Sequence, residues 1–313
     1  MTTMRFFGLS YFAPWLGLGI SLAAVASTGW VHDALILNAV LQLVLFVLVA
    51  HIPTQKTKRM SYVDIAWPWG LVVIGVVAAF MQSSVEWRGV LILVVYGGMG
   101  GRTGIRSVRA VVRGAFAVEF PRYEYQKLRW TASRKANRLL AMHIDVSAQA
   151  FLNIALLCLP AFLFTLSPAT AMHPLEVVGL VMWLIAFLCE WVADRQKASF
   201  TAAARARGEP NAVCNIGFWR YSRHPNYFFE WMVWNALILA SIPGYIGFWW
   251  PAATLDAALI GAVLLYTSFY MLRGLLYGTG AEPSEYYSMK RRPAYADYRK
   301  QTNRFVPWPH ARK

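Results

Sequence analysis

Eight apolar runs constrain what this chain can fold into more than any other feature. About 20 consecutive apolar residues cross a bilayer as one helix, and the runs lie at 11–29, 34–53, 63–82, 86–101, 147–166, 174–193, 226–244 and 252–276. Apolar residues make up 58% of the chain and charged residues 14%, against roughly 45–50% and 25% in soluble domains. The sequence therefore predicts an all-α, polytopic membrane helix bundle of about eight spans, forming one integral membrane domain over residues 1–313. The short fourth run and the Pro243-Gly244 break in the seventh leave seven or nine spans as alternatives.

The distribution of the net charge of +15 predicts the topology. Lys and Arg gather after the second, fourth, sixth and eighth runs, whereas the loops at 30–33, 83–85, 167–173 and 245–251 contain neither. Because basic residues concentrate on the cytoplasmic side of a membrane, we expect both termini to be cytoplasmic, in the inner membrane if the source is bacterial. Arg88 is the only basic residue predicted near the outer face. The alternation also argues against a nucleic-acid partner, which requires the charge on one soluble face.

The cysteines offer no framework for a disulfide or a metal. Cys158, Cys189 and Cys214 lie in or beside predicted spans and have no paired spacing. A CxxC arrangement is absent from the sequence, so no metal site is predicted.

An aspartate near the start of the third run is a candidate for chemistry. Asp64 stands a few residues inside an apolar stretch, where a carboxylate is costly unless it faces a partner or a wet cavity. The structural alternative is a helix-start carboxylate that interacts with the helix dipole and with Lys58 and Arg59. Both interpretations remain open.

A long polar stretch from Arg102 to Met142 separates the fourth and fifth runs. Four of its arginines recur at intervals of three and four residues, which predicts one basic face of a cytoplasmic helix; they are Arg102, Arg106, Arg109 and Arg113. Such a face contacts membrane lipid headgroups or the phosphates of a cofactor. Lipid is the favoured partner, because basic faces beside membrane spans are common.

The segment from Gly217 to Glu230 carries the strongest local signal. Pro225 predicts a helix start, because a proline at the first helical position loses no hydrogen bond. Arg223 and His224 directly precede it, while Asn226 and Glu230 share one face of the emerging helix. Backbone donors and cations at a helix start predict an anion site. The alternative is a positively charged membrane edge followed by an ordinary span.

A second segment completes a resemblance to a known family. It runs Lys290-Arg291-Arg292-Pro293-Ala294-Tyr295-Ala296-Asp297-Tyr298-Arg299, followed by Asn303-Arg304-Phe305-Val306-Pro307-Trp308-Pro309. Together with the Arg223-His224-Pro225-Asn226-Tyr227 core, it resembles the signature of a membrane family of unknown function that is grouped with the steroid 5-alpha-reductases. Sterol C14 and C7 reductases and isoprenylcysteine carboxyl methyltransferases are more distant members of the group. The resemblance covers residues 190–309 well and the first half loosely.

The resemblance implies an NADPH-dependent, 3-oxo-5-alpha-steroid 4-dehydrogenase-like reductase. Hydride would pass to an activated C=C bond of an apolar steroid, sterol or isoprenoid enone. The implied cofactor-binding residues are Glu190, Asp194, Arg223, His224, Asn226, Tyr227, Glu230 and Arg273. Asp64 and Tyr96 are the candidates for catalysis on the substrate side. For Glu190 and Asp194 the alternative is a helix end salt-linked to Arg195 or Lys197.

A second activity shares the same core. The carboxyl methyltransferases use an Arg-His-Pro-x-Tyr segment with S-adenosylmethionine, and an acidic pair precedes their C-terminal motif. Here Glu282 and Glu285 form a loose pair, whereas Phe228 and Phe229 replace the glycine region of those enzymes. Methyl transfer to a lipid-borne acceptor is therefore the alternative function. A transporter gains little support, because the carboxylates cluster near span ends rather than at mid-membrane.

Overall fold

The computed structural model describes residues 32–81, 86–132, 137–165, 167, 169–249 and 255–309. In chain order the α-helices are α1 (His32–Phe46), α2 (Ile52–Thr57), α3 (Val63–Phe80), α4 (Glu86–Val112), α5 (Pro121–Ala132), α6 (Arg138–Phe151), α7 (Leu159–Thr165), α8 (Pro174–Ala206), α9 (Pro225–Trp249), α10 (Leu255–Tyr277), α11 (Ala281–Arg291) and α12 (Tyr295–Gln301). Two π-helical turns, Val47–His51 and Leu152–Leu156, and two 3₁₀ turns, Ala115–Ala117 and Gly217–Arg220, complete them. No strand occurs in the described residues, so the all-α prediction is confirmed for them.

Five segments of the described residues are long and apolar enough to cross a membrane. They are Asp33–Thr57, Val63–Phe80, Arg138–Thr165, Pro174–Ala206 and Ala257–Arg291. These segments correspond to the second, third, fifth, sixth and eighth predicted runs. The protein is therefore a helical membrane protein in contact with membrane lipid.

The predicted count of eight spans is not reproduced. The run at 11–29 lies outside the described residues, and the runs at 86–101 and 226–244 form long helices, α4 and α9, that are not among the five. The apolar part of α4 is short because it is bounded by Arg88 and Arg102. About three further turns extend α4 to Val112, so that Arg113 falls just beyond its end.

The suggested break at Pro243 and Gly244 is wrong, because α9 continues through both residues to Trp249. A proline inside a membrane helix is tolerated where neighbouring groups compensate for the freed backbone. Gly244 lies directly against the carbonyl of Leu163, a closeness that a side chain would prevent. This small residue therefore serves helix packing rather than helix termination.

The chain divides into two compact units. Unit 1 comprises Met1–Val177 and Ile238–Tyr270, and unit 2 comprises Val178–Leu237 and Met271–Lys313. In unit 1, α3 packs closely along α4, where Gly75 faces Tyr96 and Gly100 lies against the Pro68 carbonyl. Small residues at such contacts let two helix backbones approach each other.

A buried network of side-chain amides ties α1, α3 and the second π-helical turn together. Gln42 donates to the carbonyl of Gly70 over 2.8 Å, and Asn153 donates to Gln42 over 3.2 Å. Asn38 donates to the backbone carbonyl of Asn153 over 3.3 Å. All three amide side chains are fully buried. Interhelical bonds of this kind fix which helices pair inside a membrane.

Arg88 is a buried residue of unit 1, held by an ion pair with Glu176. Both side chains have no solvent exposure, and Arg88 also donates to the carbonyls of Ala169 and Ala171. Its guanidinium lies 4.5 Å from the centre of the Trp87 ring. The single basic residue that was predicted near the outer face is thus part of the core of unit 1.

Candidate functional site

The basic segment ahead of α9 is anchored to α8 within unit 2. The amide N–H of Phe218 donates to the side-chain oxygen of Gln196 over 3.0 Å, and the indole N–H of Trp219 donates to the Ala193 carbonyl over 2.8 Å. Gly217 has a φ of +52°, a region that glycine adopts without the steric cost of a side chain. The 3₁₀ turn is therefore fixed to α8, and it positions Arg223 and His224 at the start of α9.

The two sequence segments that carry the family resemblance are in contact. The amide N–H of Arg223 donates to the carbonyl of Asn303 over 2.9 Å, and the Ser222 hydroxyl donates to the carbonyl of Phe305 over 2.7 Å. The Tyr298 hydroxyl donates to the carbonyl of Trp219 over 2.5 Å. The closing motif therefore braces the segment that precedes α9.

Glu285 of α11 lies at the centre of a cationic cluster. Its Oε1 atom is 3.2 Å from Nε2 of His224, 3.4 Å from Nε of Arg223 and 3.8 Å from Nε of Arg304. We name these four residues the Glu285 cluster. One buried carboxylate thus faces nitrogen atoms from two separate parts of the chain, residues 223–224 and Arg304.

His224 contributes no charge to the Glu285 cluster at neutral pH. Burial lowers the pKa of His224 to about 4, although its hydrogen bond to Glu285 opposes the shift. Because a carboxylate only accepts, the proton of the neutral imidazole lies on Nε2. Two arginines and one carboxylate remain, so the Glu285 cluster carries an excess positive charge.

Both arginines of the Glu285 cluster have unused donors in the described part of the chain, and Arg223 is the more buried of the two. Its side chain is 8% exposed, and within the described residues no hydrogen bond engages its two terminal nitrogens. Arg299 and Arg304 both act on it as repelling charges. A buried guanidinium with free donors and like-charged neighbours is a site for an anion, to which a guanidinium binds in bidentate fashion.

Asp194 and Asn226 meet beside this cluster. Nδ2 of Asn226 donates to Oδ1 of Asp194 over 3.3 Å, which links α8 to the first turn of α9. The side-chain oxygen of Asn226 is buried and has no hydrogen-bond partner in the described part of the chain. That oxygen is an available acceptor, because a buried polar atom without a hydrogen bond is energetically costly.

Unit 2 holds all eight residues that were predicted to bind the cofactor. Glu190 is buried one helical turn before Asp194 on α8. Tyr227 stacks on His224 with ring centres 5.5 Å apart, and Glu230 follows one turn later on α9. Arg273 lies half-buried on α10.

The two predicted catalytic residues lie in unit 1. Asp64, at the start of α3, forms an ion pair with Arg122 and accepts a 2.6 Å hydrogen bond from the Tyr123 hydroxyl. We name these three residues the Asp64 cluster. Burial, followed by the charge of Asp64, raises the pKa of Tyr123 well above its ordinary value, which keeps this hydroxyl protonated. Tyr96 is fully buried on α4 and donates to the Leu157 carbonyl over 2.7 Å.

Glu119 reinforces the position of the Asp64 cluster. Its carboxylate accepts from the backbone N–H groups of Met60 and Ser61 over 2.8 Å and 2.9 Å, and Lys127 pairs with it over 2.8 Å. The carboxylate therefore caps the turn that leads into α3 and holds it against α5. The segment from Glu119 to Tyr123 therefore contacts the start of α3 through the side chains of Glu119, Arg122 and Tyr123.

Sequence reasoning missed two members of the Glu285 cluster as site residues. Glu285 was considered only as half of a loose acidic pair with Glu282, and Arg304 only as part of the closing motif. The structure buries Glu285 on α11 together with Ala281 one turn earlier, which no motif in the sequence indicates. A carboxylate on the apolar side of a short basic helix requires a cationic partner.

The comparisons with known proteins define the family. The model of the family described as "Protein of unknown function (DUF1295)" matches residues 50–302, most of the chain, and the protein therefore belongs to that family. "Uncharacterized protein C9.08c" of the yeast Schizosaccharomyces pombe is 23% identical over 165 residues, which cover 48% of this chain and 57% of that protein. No solved structure matches.

Proposed function

We propose that the protein is an NADPH-dependent membrane reductase that acts on an activated C=C bond of an apolar enone. The observation that carries the proposal is Arg223, a buried guanidinium with unused donors in a cluster of excess positive charge. Such a site suits the phosphates of a nucleotide. The resemblance to the steroid 5-alpha-reductase group supplies the reaction class.

The residues of unit 2 fit a nicotinamide nucleotide in their chemistry. Arg223 and Arg304 supply cationic donors for phosphates, and the unpartnered side-chain oxygen of Asn226 accepts from a ribose hydroxyl or a carboxamide. Rings of Phe228 and Trp231 lie 5.6 Å and 5.9 Å from the ring of Phe305, so aromatic surface for a nucleobase lies along the same turn of α9.

Bound NADPH supplies the hydride, and the protein residues bind and orient it. In the proposal, Asp194 fixes the side chain of Asn226, and Tyr227 holds the His224 ring flat by stacking. Glu190, Glu230 and Arg273 complete the proposed binding set. The closing motif keeps the segment rigid through the bonds of Ser222 and Arg223 to residues 303–305.

The substrate side of the proposal rests on Asp64 and Tyr96. Asp64 keeps a side-chain exposure of 14%, and its partners Arg122 and Tyr123 are donors of the kind that stabilise negative charge at a substrate carbonyl. Tyr96 is the second candidate, by resemblance; its hydroxyl donates to the Leu157 carbonyl and would have to release that bond to donate to a substrate. The substrate is proposed to be apolar, in accord with the surrounding membrane helices.

Methyl transfer from S-adenosylmethionine is the second candidate function. The observation in its favour is Glu285, a buried carboxylate at the centre of the site, since the sulfonium and ammonium groups of that cofactor are cationic. The two arginines already neutralise this carboxylate. The excess positive charge therefore favours the polyanionic nucleotide.

The proposed setting is a membrane with both termini in the cytoplasm, which is the inner membrane in a bacterium. The alternation of basic and base-free loops supports this topology together with a count of about eight spans. A reporter fused after Lys313 should therefore be active only in its cytoplasmic form. A periplasmic or luminal signal from that fusion contradicts the proposal.

A single purification separates the two cofactor classes. Protein extracted in mild detergent is denatured, and the supernatant is analysed by mass spectrometry for nicotinamide nucleotides and S-adenosyl compounds. We expect NADP(H), together with enone-dependent oxidation of NADPH by the intact protein. Release of an S-adenosyl compound, with no NADPH binding by calorimetry, favours the methyltransferase and overturns the reductase.

A further inference from the structure

We infer that Glu285 is a positioning residue that aims Arg223 at a phosphate of the bound nucleotide. The inference rests on the proposed function and deepens it, because it assigns the phosphate contact to one arginine and the orientation of that arginine to one carboxylate. It starts from the burial of Glu285, which is 8% exposed on the packed face of α11. A carboxylate in such a place is retained only with cationic or hydrogen-bonding partners.

The partners of Glu285 come from two segments, which lie before and after α11 in the sequence. His224 lies 61 residues before it, Arg223 precedes His224, and Arg304 follows α12. All three contacts converge on the same oxygen, Oε1. A displacement of this single atom therefore changes the geometry of all three side chains together.

The contact to Arg223 leaves the end of its guanidinium available. Glu285 faces Nε of Arg223, whereas the paired terminal nitrogens, the fork that recognises a phosphate, have no hydrogen bond to other described residues. The side chain is thus held from its flank and presents its end. An unrestrained arginine side chain loses rotamer freedom when it binds a phosphate, and this loss lowers the affinity. A side chain that is already held in place loses less entropy on binding.

Glu285 also counteracts the repulsion within the site. Arg299 and Arg304 both disfavour the charged form of Arg223, and Glu285 favours it. Without the carboxylate, Arg223 and Arg304 would repel each other and turn outward to solvent. The carboxylate therefore keeps the two arginines together in the absence of a bound anion.

The test compares Glu285→Gln with a matched control on the same helix. Glu282→Gln removes the same charge from α11 one turn earlier, at a half-buried position. The full-length protein in detergent is titrated with NADPH and, separately, with inorganic pyrophosphate, and the melting temperature of each variant is recorded. Pyrophosphate contains only the phosphate part of the nucleotide, so its affinity reports the phosphate contact alone. The melting temperature reports a general loss of structure.

We expect Glu285→Gln to lower the affinities for NADPH and for pyrophosphate by the same factor of about ten, the usual effect of one charged hydrogen-bond contact. Glu282→Gln should change either affinity by less than about twofold, because Glu282 lies outside the Glu285 cluster. If Glu285→Gln does not fold, Glu285→Asp carries the test. It keeps the charge but withdraws it by one methylene, and should weaken both ligands by about threefold.

Four results overturn the inference, and they distinguish it from the proposed function. If the wild type binds NADPH and Glu285→Gln or Glu285→Asp binds it equally well, Glu285 does not position the contact and the reductase proposal stands. Loss of NADPH without loss of pyrophosphate places the effect away from the phosphate. Equal losses in Glu282→Gln make it a general charge effect. A wild type that binds neither probe rejects the proposed function, and the inference falls with it.

Discussion

The Asp64 cluster of unit 1 and the Glu285 cluster of unit 2 use similar residues with opposite charge balance. In the Asp64 cluster one carboxylate meets one arginine and one tyrosine, and the adjacent Glu119 meets Lys127. In the Glu285 cluster one carboxylate faces two arginines, with a third, Arg299, close enough to act on Arg223. The Asp64 cluster balances one carboxylate against one arginine, whereas the Glu285 cluster has one arginine in excess.

This difference separates charges that are balanced within the protein from charges that a bound anion would balance. Removing one partner of a balanced buried pair leaves the other charge buried without compensation, so the effect appears as a loss of stability. An unbalanced cluster stores repulsion that a bound anion relieves, and its loss appears as lower affinity. The predictions that follow test this division, from the largest expected effect to the smallest.

Loss of the Arg88–Glu176 pair should give the largest effect, and only on stability. Arg88→Ala leaves Glu176 charged and fully buried, so we expect the free energy of unfolding to fall by about 3–5 kcal/mol. Denaturant unfolding in detergent measures this loss. The NADPH affinity of the fraction that remains folded should be unchanged.

A double substitution provides the control for that pair. Arg88→Met combined with Glu176→Leu removes both charges and should restore most of the stability, because apolar replacement of a buried pair is often neutral. If Arg88→Ala alone stays within about 0.5 kcal/mol of the wild type, an ordinary value for surface positions, the assignment of this pair to the core of unit 1 is wrong.

The pairing of Arg88 with Glu176 also shows where sequence reasoning stops. The two residues are 88 positions apart, and a hydropathy pattern contains no information about which span ends meet. The sequence predicted a helical membrane protein because that conclusion needs only composition and run length. It gave no partner for Arg88 and misjudged the continuity of α9 at Pro243, because both depend on packing against other spans, such as the contact of Gly244 with Leu163.

The candidate site was predictable in part for the same reason. The resemblance implied Asp194 and Asn226 in one binding set, and the two side chains do contact each other. Glu285 has no motif around it, and its role depends on a contact with His224, which lies 61 residues earlier in the sequence. Its buried position on α11 becomes visible only in three dimensions.

The pH dependence of stability should reveal His224. Its pKa is about 4 in the folded protein and about 6.5 when unfolded, so the unfolded chain binds the additional proton between these values. The stabilisation is therefore present above pH 6.5 and is lost as the pH falls towards 4, by about 3 kcal/mol in total. Melting curves between pH 4 and 7 measure it.

His224→Gln should flatten this dependence, because glutamine has no proton to bind in that range. His173→Gln is the control, since His173 is an exposed residue of unit 1 and its replacement should leave the pH profile of the wild type intact. A His224→Gln profile as steep as that of the wild type would falsify the buried, neutral state of His224.

Arg223→Ala should separate affinity from stability in unit 2. The variant removes the available guanidinium, so we expect NADPH affinity to fall by about 10- to 100-fold, the range for a charge-assisted contact. Relief of repulsion with Arg299 and Arg304 offsets part of the stability lost with the Glu285 contact. Calorimetric titration and melting curves measure the two quantities on the same samples.

Arg220→Ala is the matched control for Arg223. Arg220 ends the 3₁₀ turn three residues earlier and is exposed, so its removal lowers the general positive charge by the same amount. NADPH affinity should change by no more than about twofold. Equal losses in the two variants would mean that the nucleotide responds to overall charge, and the contrast between the units would then lack a specific site.

The smallest expected effect concerns Asn226, and it tests whether the unpartnered acceptor in unit 2 serves a ligand. The bond from Asn226 to Asp194 is long at 3.3 Å, so Asn226→Ala should cost less than about 1 kcal/mol of stability. Loss of its buried side-chain oxygen should still lower the affinity for NADPH by about three- to tenfold.

Asn235→Ala is the control on the same helix, because Asn235 donates to the carbonyl of Trp231 within α9. An affinity loss confined to Asn226→Ala supports a ligand contact, whereas equal affinities in both variants and the wild type would reduce Asn226 to a link between α8 and α9, like the paired residues of unit 1.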